Sequence, residues 1–151
     1  MKKKFIPEKL YKKITEVLPI CCIDFVIRKG KQFLLVKRLE RPAANRWWFP
    51  GGRILFNESL PRASKRKLKE ELNIKSFRKI KFLGASGEKF KKGKFNKPVF
   101  SIANIFLVDV NEKDTAKIKP DKTMSGYKWF KKINKNFHSY LKRFLKKSGF
   151  K

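Results

Sequence analysis

Cysteine and histidine are scarce in this sequence of 151 residues. The two cysteines, Cys21 and Cys22, are adjacent, so they close no long loop with a disulfide and lack the spacing of a metal site. The single histidine, His138, falls in the C-terminal segment, where we expect a packed or solvated helix residue. The composition therefore predicts a reduced, cytoplasmic protein and excludes a disulfide-stabilised secreted domain.

Long apolar runs are also missing. The best stretch, residues 17–27, is too short to span a bilayer and contains Asp24. Near the start of the chain, Pro7 and Glu8 interrupt the apolar run that a signal peptide would require. We therefore expect a soluble protein with no transmembrane segment and no secretion signal.

Acidic residues are few: 12 Asp and Glu stand against 41 Lys and Arg, which gives a formal net charge of +29. This balance excludes an acidic or neutral surface. A positive field attracts nucleic acid, anionic membranes and phosphorylated small molecules alike, so it predicts an anionic partner without choosing among them. The hydrophobic share of 41% is enough to bury a core, and the length fits one domain over residues 1–151.

The apolar residues of the first half predict a sheet covered by helices. Residues 20–29 and 32–38 are nearly unbroken apolar runs around Gly30, which predicts two strands joined by a tight turn and buried on both faces. Ahead of them, a helical spacing of apolar residues follows Pro7 and predicts a short helix that packs on the core.

The rest of the chain alternates between strands and helices. Residues 59–72 predict a central helix with Asn57 as N-cap, Pro61 in the first turn and Asn73 as a left-handed stop. The other predicted elements are strands near 79–83, 99–110 and 127–130, a basic loop over 84–98, and a final helix with Phe137, Tyr140, Leu141, Phe144 and Leu145 on one face. We expect that face to pack on the sheet, which completes a mixed α/β sandwich.

Glycines and carboxylates frame the central helix. Gly51 and Gly52 precede it, and Glu70 and Glu71 lie near its end. Mg²⁺ takes oxygen ligands, commonly one or two carboxylates together with substrate phosphates, and glycine lets the backbone come close to a metal or a phosphate. This combination predicts a divalent-cation site that serves a diphosphate.

The spacing of these residues resembles the Nudix box, a specific motif written G-x5-E-x7-R-E-U-x-E-E-x-G-U, where U is aliphatic. The matching positions are Gly52, Glu58, Arg66, Leu68, Glu70 and Glu71. Two positions depart from the motif: Lys67 stands where the family has its first helix Glu, and Asn73 replaces a Gly. The resemblance implies a Nudix-type α/β/α sandwich with a mixed β-sheet, while Lys67 argues against the multi-metal arrangement of many diphosphate-cleaving members.

Over roughly residues 20–130 the chain is similar to the GDP-mannose mannosyl hydrolase branch of the Nudix enzymes. The segments that carry this similarity are Ile23-Asp24-Phe25, Lys37-Arg38, Arg41-Pro42-Ala43, Trp48-Phe49-Pro50-Gly51-Gly52-Arg53, Pro120-Asp121 and Tyr127-Lys128-Trp129. The resemblance implies a homodimeric hydrolase that depends on Mg²⁺, with Mn²⁺ as an alternative ion. Its nucleotide-sugar substrate would be GDP-mannose, cleaved to GDP and mannose by attack of water at the anomeric carbon.

The same resemblance implies roles for individual residues. The Gly51 carbonyl and Glu71, with Glu70 beside them, would bind the metal ion. Arg38 and Arg53 would hold the diphosphate and stabilise the charge that develops on the leaving group.

Asp24 would face the sugar, either by binding its hydroxyls or by stabilising an oxocarbenium-like transition state. Independently of the resemblance, the aromatic residues 47–49 precede the glycines, where a ring such as that of Trp48 would stack on a nucleobase, although at least one of the three is expected to be plain core. The predicted catalytic residues are Asp24, Arg38, Arg53 and Glu70, and the predicted substrate-binding residues are Asp24, Arg38, Arg41, Trp48 and Arg53.

The general base of the branch has no counterpart in this sequence. Thr123 and Met124 stand at the positions of its Gln and His, and a thioether is too weak an acceptor to take a proton. Glu70, Glu88 and Asp121 remain open as substitute bases.

Two other functions also remain open. A Nudix pyrophosphohydrolase would cleave a P–O bond of a nucleoside diphosphate derivative. A catalytically impaired protein would instead bind nucleic acid, with the cations and aromatics of residues 84–98 following a phosphate backbone. In an enzyme, that same loop would close over a diphosphate.

Overall fold

The computed structural model describes residues 6–151, and the basic start over residues 1–5 lies outside the described residues. In chain order the elements are α1 (Glu8–Val17), β1 (Ile20–Lys29), β2 (Gln32–Arg38), β3 (Trp47–Trp48), β4 (Gly51–Arg53), α2 (Leu60–Leu72), β5 (Lys79–Phe90), β6 (Val99–Asp109), α3 (Glu112–Thr115), β7 (Met124–Phe130) and α4 (Ser139–Lys147). None of the helices described is both long enough and apolar enough to cross a membrane.

A mixed sheet of seven strands forms the centre of the fold. Its main path is β3-β2-β1-β6-β5, with β4 paired to β1 and β7 paired to β2. β1 and β6 run parallel, whereas β1 with β2 and β5 with β6 are antiparallel. With α2 and α4 packed on it, the sheet confirms the predicted α/β/α sandwich.

Alternate residues of the central strands pack against different helices. Ile23 and Phe25 of β1 share one buried core with the apolar face of α2. Val26 of β1 and Phe33 of β2 share the other core with the apolar face of α4, whose packing on the sheet was predicted. Because side chains alternate along a strand, Asp24 points to the same side as Val26. The strand pattern therefore brings a carboxylate to the α4 side.

Helix α1 forms where it was predicted, but the prediction that it packs on the core is wrong. None of its residues is buried, and Leu10 and Val17 are 51% and 75% exposed. α2 and α4 already cover the central strands, so no central surface remains for a third helix. α1 instead lies beside β6.

The N-cap of α2 is Ser59, so the prediction of Asn57 is wrong. Glu58 accepts the Leu55 amide proton at 3.0 Å and so fixes a turn ahead of the helix, within which Asn57 has a left-handed φ of 57°. The cap therefore falls two residues later. Pro61 in the first turn and Asn73 as the left-handed stop are both confirmed.

The predicted basic loop over 84–98 is wrong in its first half. β5 continues to Phe90 because each of its residues from Gly84 onward pairs with β6, after a bulge between Phe82 and Gly84. Inter-strand pairing here decides the structure of a segment whose residue types also suit a loop. β7 also begins earlier than predicted, at Met124, and the short helix α3 was not predicted.

Candidate active site

A cavity of about 250 Å³ opens between α1, the β1–β4 pair and the ends of β5 and β6. Six of the predicted site residues line it: Asp24, Arg38, Arg41, Trp48, Gly51 and Arg53. Glu70 and Glu71 are not among the lining residues, but Glu71 lies close enough for its charge to raise the pKa of Asp24. The structure thus places the predicted substrate residues and Gly51 around one cavity, with Glu71 close to Asp24.

Asp24 is the buried carboxylate of this cavity, with 9% of its surface exposed. Its partner comes from α4, since the Tyr140 hydroxyl donates a hydrogen bond to Oδ2 at 2.7 Å. Burial raises the pKa of Asp24 to about 6, while the Tyr140 hydrogen bond and nearby Arg38 act in the opposite direction. A carboxylate that titrates this close to neutral pH is suited to exchanging a proton or stabilising positive charge.

Three arginines give the cavity a positive wall. Arg38 is half-buried, and its Nε donates to the Pro42 carbonyl at 2.9 Å. The Arg53 guanidinium lies 4.9 Å from the ring centre of Tyr11 in α1, and Arg41 donates to Asn96. Each guanidinium is therefore oriented by a neighbour, and together they favour a ligand with more than one negative charge.

The aromatic residues before the glycines lie in different environments. Phe49 is buried in the core, which confirms that at least one of the three rings is plain core. Trp48 lines the cavity but is only 5% exposed, and its ring stacks on Tyr140 at 5.4 Å between centroids. His138 packs on Trp48 and accepts the Tyr140 amide proton as the N-cap of α4, in agreement with a structural role. Stacking of Trp48 on a nucleobase stays a prediction.

A hydrogen-bonded network fixes the polar face of α2. Arg66 donates to both carboxylate oxygens of Glu58, at 2.6 and 2.8 Å. It also donates to Glu70 at 3.0 Å and to the carbonyl of Arg53 in β4 at 3.1 Å. One guanidinium therefore joins β4, the connecting loop and the end of the helix. This explains why the spacing of these residues along the chain is specific.

Glu71 is buried at the end of that network, with 6% of its surface exposed. Burial raises its pKa, against the effect of Lys67, whose Nζ lies 2.5 Å from Glu71 Oε1. Over residues 6–151, no three His, Cys, Asp or Glu side chains are grouped so that they could hold a metal ion by themselves. The carboxylates of Glu70 and Glu71 nevertheless fit a cation, because the Lys67 ammonium group already lies beside both of them. A bound Mg²⁺ would need phosphate, water and backbone oxygens to complete its ligands.

Gly51 and Gly52 allow close approach on opposite sides of β4. A Cβ on Gly51 would overlap the carbonyl oxygen of Ile23 and the carboxylate of Asp24. A Cβ on Gly52 would instead meet the flexible end of Lys67, at 2.8 Å from Cε.

Substitution of Gly51 by Ala should therefore lower the free energy of unfolding by about 2 kcal/mol, because backbone atoms of β1 must move. Gly52→Ala is the matched control, and we expect a smaller loss because the flexible end of Lys67 can shift slightly without any backbone movement. Urea denaturation followed by circular dichroism measures both variants. Equal losses would contradict the close packing of Gly51 on β1.

The three candidate bases occupy different places. Glu88 lines the cavity, where Arg143 donates to it at 2.8 Å, and its charge contributes to the raised pKa of Tyr140. Asp121 accepts from Thr123 and donates its amide proton to the Glu71 carbonyl, next to the metal residues. Glu70 is paired with Arg66, as described above.

Sequence reasoning missed two features of the cavity. Tyr140 was predicted only as part of the apolar face of α4, and nothing in that spacing shows that its hydroxyl reaches Asp24. Tyr11 of α1 lines the mouth and contacts the edge of Phe95, with ring centroids 6.0 Å apart. A tyrosine on an otherwise apolar face is the only local signal in either case.

Comparison with known proteins identifies the fold and the domain. A sequence model described as the NUDIX domain matches residues 20–134. A MutT NUDIX hydrolase from Burkholderia pseudomallei has a similar structure, with a TM-score of 0.70 and 20% identity over 85% of this chain and 97% of that one. At that identity the similarity is one of fold.

Two curated proteins are similar over shorter segments. The chain is 36% identical over 69 residues to the low-salt glycan biosynthesis protein Agl8 of Haloferax volcanii, covering 46% of this chain and 44% of that protein. It is 36% identical over 56 residues to the 8-oxo-dGTP diphosphatase of Buchnera aphidicola subsp. Schizaphis graminum, covering 37% and 43%. The chain thus spans less than half the length of the curated relatives that it matches.

Proposed function

The chain belongs to the NUDIX domain family, and from that premise we propose that it is a Mg²⁺-dependent hydrolase of a nucleotide sugar. The proposed substrate is GDP-mannose, which is cleaved to GDP and mannose by attack of water at the anomeric carbon. The observation that carries this proposal is the buried carboxylate of Asp24 in a cavity with an arginine-rich wall. Similarity to a protein named for glycan biosynthesis supports a sugar-containing substrate.

Different residues of the cavity suit different parts of the substrate. Arg38, Arg41 and Arg53 suit the diphosphate, because fixed cations stabilise the charge that grows on a departing phosphate. Asp24 suits the sugar. In its ionised form it can accept hydrogen bonds from sugar hydroxyls and stabilise positive charge at the anomeric carbon.

Tyr140 fixes the position of Asp24. Its hydroxyl donates to Oδ2, and burial together with the Asp24 charge raises the pKa of Tyr140, so the phenol stays protonated and remains a donor. We assign Glu88 as the base that takes a proton from the attacking water, because its side chain lines the same cavity. Mg²⁺ bound by Glu71, Glu70 and the Gly51 carbonyl would neutralise charge on the diphosphate.

The products of GDP-mannose hydrolysis in H₂¹⁸O test this proposal. Attack at carbon yields GDP and mannose, with ¹⁸O in the mannose. We expect that result with Mg²⁺ present and no turnover with excess EDTA. Absence of turnover on a panel of nucleotide sugars and nucleoside diphosphate derivatives would overturn an enzymatic function.

A second candidate is a pyrophosphohydrolase that cleaves a P–O bond. It is favoured by the similarity to an 8-oxo-dGTP diphosphatase and by the Glu58–Arg66–Glu70 network on α2. The same experiment separates the two, because attack at phosphorus yields GMP and mannose 1-phosphate with ¹⁸O in one of the phosphates. That labelling pattern would replace the first proposal with the second.

A further inference from the structure

A lysine ammonium lies between the two carboxylates at the end of α2. Lys67 Nζ is 2.5 Å from Glu71 Oε1 and 3.7 Å from Glu70 Oε2. The Lys67 side chain is 12% exposed, and that of Glu71 is 8% exposed. A pair this deeply buried is screened little by water or salt, so each charge depends on the other.

Glycine at position 52 makes room for this ammonium. A Cβ there would lie 2.8 Å from Lys67 Cε and 2.9 Å from Nζ, which is closer than real Cβ contacts. The space beside Gly52, which suits a divalent ion in the proposed function, is therefore filled by the ammonium group of Lys67.

We propose that the Lys67 ammonium is a built-in cation that competes with a divalent metal ion for Glu71. A carboxylate already neutralised by an ammonium attracts a metal less, and two cations at one carboxylate repel each other. Metal binding thus requires Lys67 to leave Glu71. The consequence is a site that binds free divalent ions weakly. The inference rests on the proposed function only in taking Glu71 as a metal ligand.

Titration with Mn²⁺, followed by the electron paramagnetic resonance signal of the free ion, tests this competition on the full chain. Lys67→Gln removes the charge but keeps an amide that can donate to Glu71, and Lys67→Arg keeps the charge as the matched control. We expect Lys67→Gln to bind Mn²⁺ at least ~10-fold more tightly than the wild type. Lys67→Arg should stay within about threefold of the wild type.

The double variant Lys67→Gln/Glu71→Gln tests whether the gain in Mn²⁺ affinity depends on Glu71. We expect it to lose the tight Mn²⁺ binding of Lys67→Gln. Equal Mn²⁺ affinity of Lys67→Gln and the wild type would overturn the inference, and so would a gain that persists in the double variant. These outcomes do not depend on turnover. Tighter Mn²⁺ binding in Lys67→Gln without any nucleotide hydrolysis would overturn the proposed function but would still support the competition between Lys67 and the metal ion.

A measurement on the unmodified protein covers the case in which Lys67→Gln does not fold. Lysine ammonium groups in buried ion pairs give resolved ¹H–¹⁵N signals, and the Lys67 signal is identified by its absence in Lys67→Arg. Saturating Mg²⁺ should shift this signal or broaden it beyond detection. A Lys67 signal that stays unchanged while backbone amides of Glu70 and Glu71 respond to Mg²⁺ would contradict displacement of the ammonium.

Discussion

Replacing Glu71 by Gln is expected to lower Mg²⁺-dependent hydrolysis of GDP-mannose by about 10³-fold, which corresponds to about 4 kcal/mol of transition-state stabilisation. Glu71 is the most buried of the carboxylates on α2. Within residues 6–151, no group of three His, Cys, Asp or Glu side chains could bind the metal ion in its place. Gln has nearly the same shape but carries no charge. Initial rates at saturating Mg²⁺ measure the effect.

The control for this substitution is Glu112→Gln, at a side chain that is 87% exposed, paired with Lys29 and not among the residues that line the cavity. It makes the same chemical change on the surface, and we expect wild-type rates. Thermal melting of both variants checks that each is folded. Wild-type turnover in a folded Glu71→Gln variant would remove the metal assignment and leave the fold unaffected.

Replacing Asp24 by Asn is expected to reduce turnover by about 10²-fold and, at the same time, to stabilise the protein at neutral pH. The activity falls because the cavity loses its buried negative charge. The Tyr140 hydroxyl keeps an acceptor in Asn, so the position of the side chain is maintained. Opposite effects on turnover and stability separate a functional carboxylate from a merely structural one.

The stability effect has a defined pH window. The pKa of Asp24 is about 6 in the folded protein against 3.8 for an ordinary Asp, so the unfolded chain releases this proton first. The loss of stability caused by ionising the buried Asp24 is absent below pH ~4. It grows as the pH rises from the unfolded pKa to the folded pKa, and it is complete above the folded pKa. Its upper limit is about 3 kcal/mol, from 1.36 kcal/mol per pKa unit.

Urea denaturation at pH 4, 5, 6 and 7 measures this window. The difference in unfolding free energy between Asp24→Asn and the wild type should grow with pH and then level off. Asp109→Asn is the control, because Asp109 is ion-paired with Arg28 at 2.6 Å and its loss should destabilise the protein instead. A difference that does not change with pH would contradict the raised pKa of Asp24.

Local patterns allowed much of the fold to be predicted. The two apolar runs around Gly30 predicted the bounds of β1 and β2, because strands covered on both faces are largely apolar. Asn73 stops α2 as predicted, since few residues other than glycine adopt a left-handed cap easily. These features depend on neighbours in sequence, and a single sequence contains that information.

Features that depend on distant pairing could not be predicted. The Tyr140–Asp24 hydrogen bond joins residues 116 positions apart. The extension of β5 past Gly84 depends on its register with β6. The position of Lys67 beside Gly52 depends on how α2 lies on β4. In each case the local residue types are compatible with several arrangements, and tertiary packing selects one of them.

Helix α1 borders the cavity through Tyr11 and Thr15 yet buries none of its own residues. Its attachments are peripheral: the Glu16–Lys97 ion pair at 2.7 Å, and contacts of Tyr11 with Phe95 and Arg53. One wall of the cavity thus lies outside the two buried cores, whereas the opposite wall, with Trp48 and Tyr140, belongs to one of them. Amino-acid changes on α1 can therefore reshape the cavity at little thermodynamic cost to the sheet.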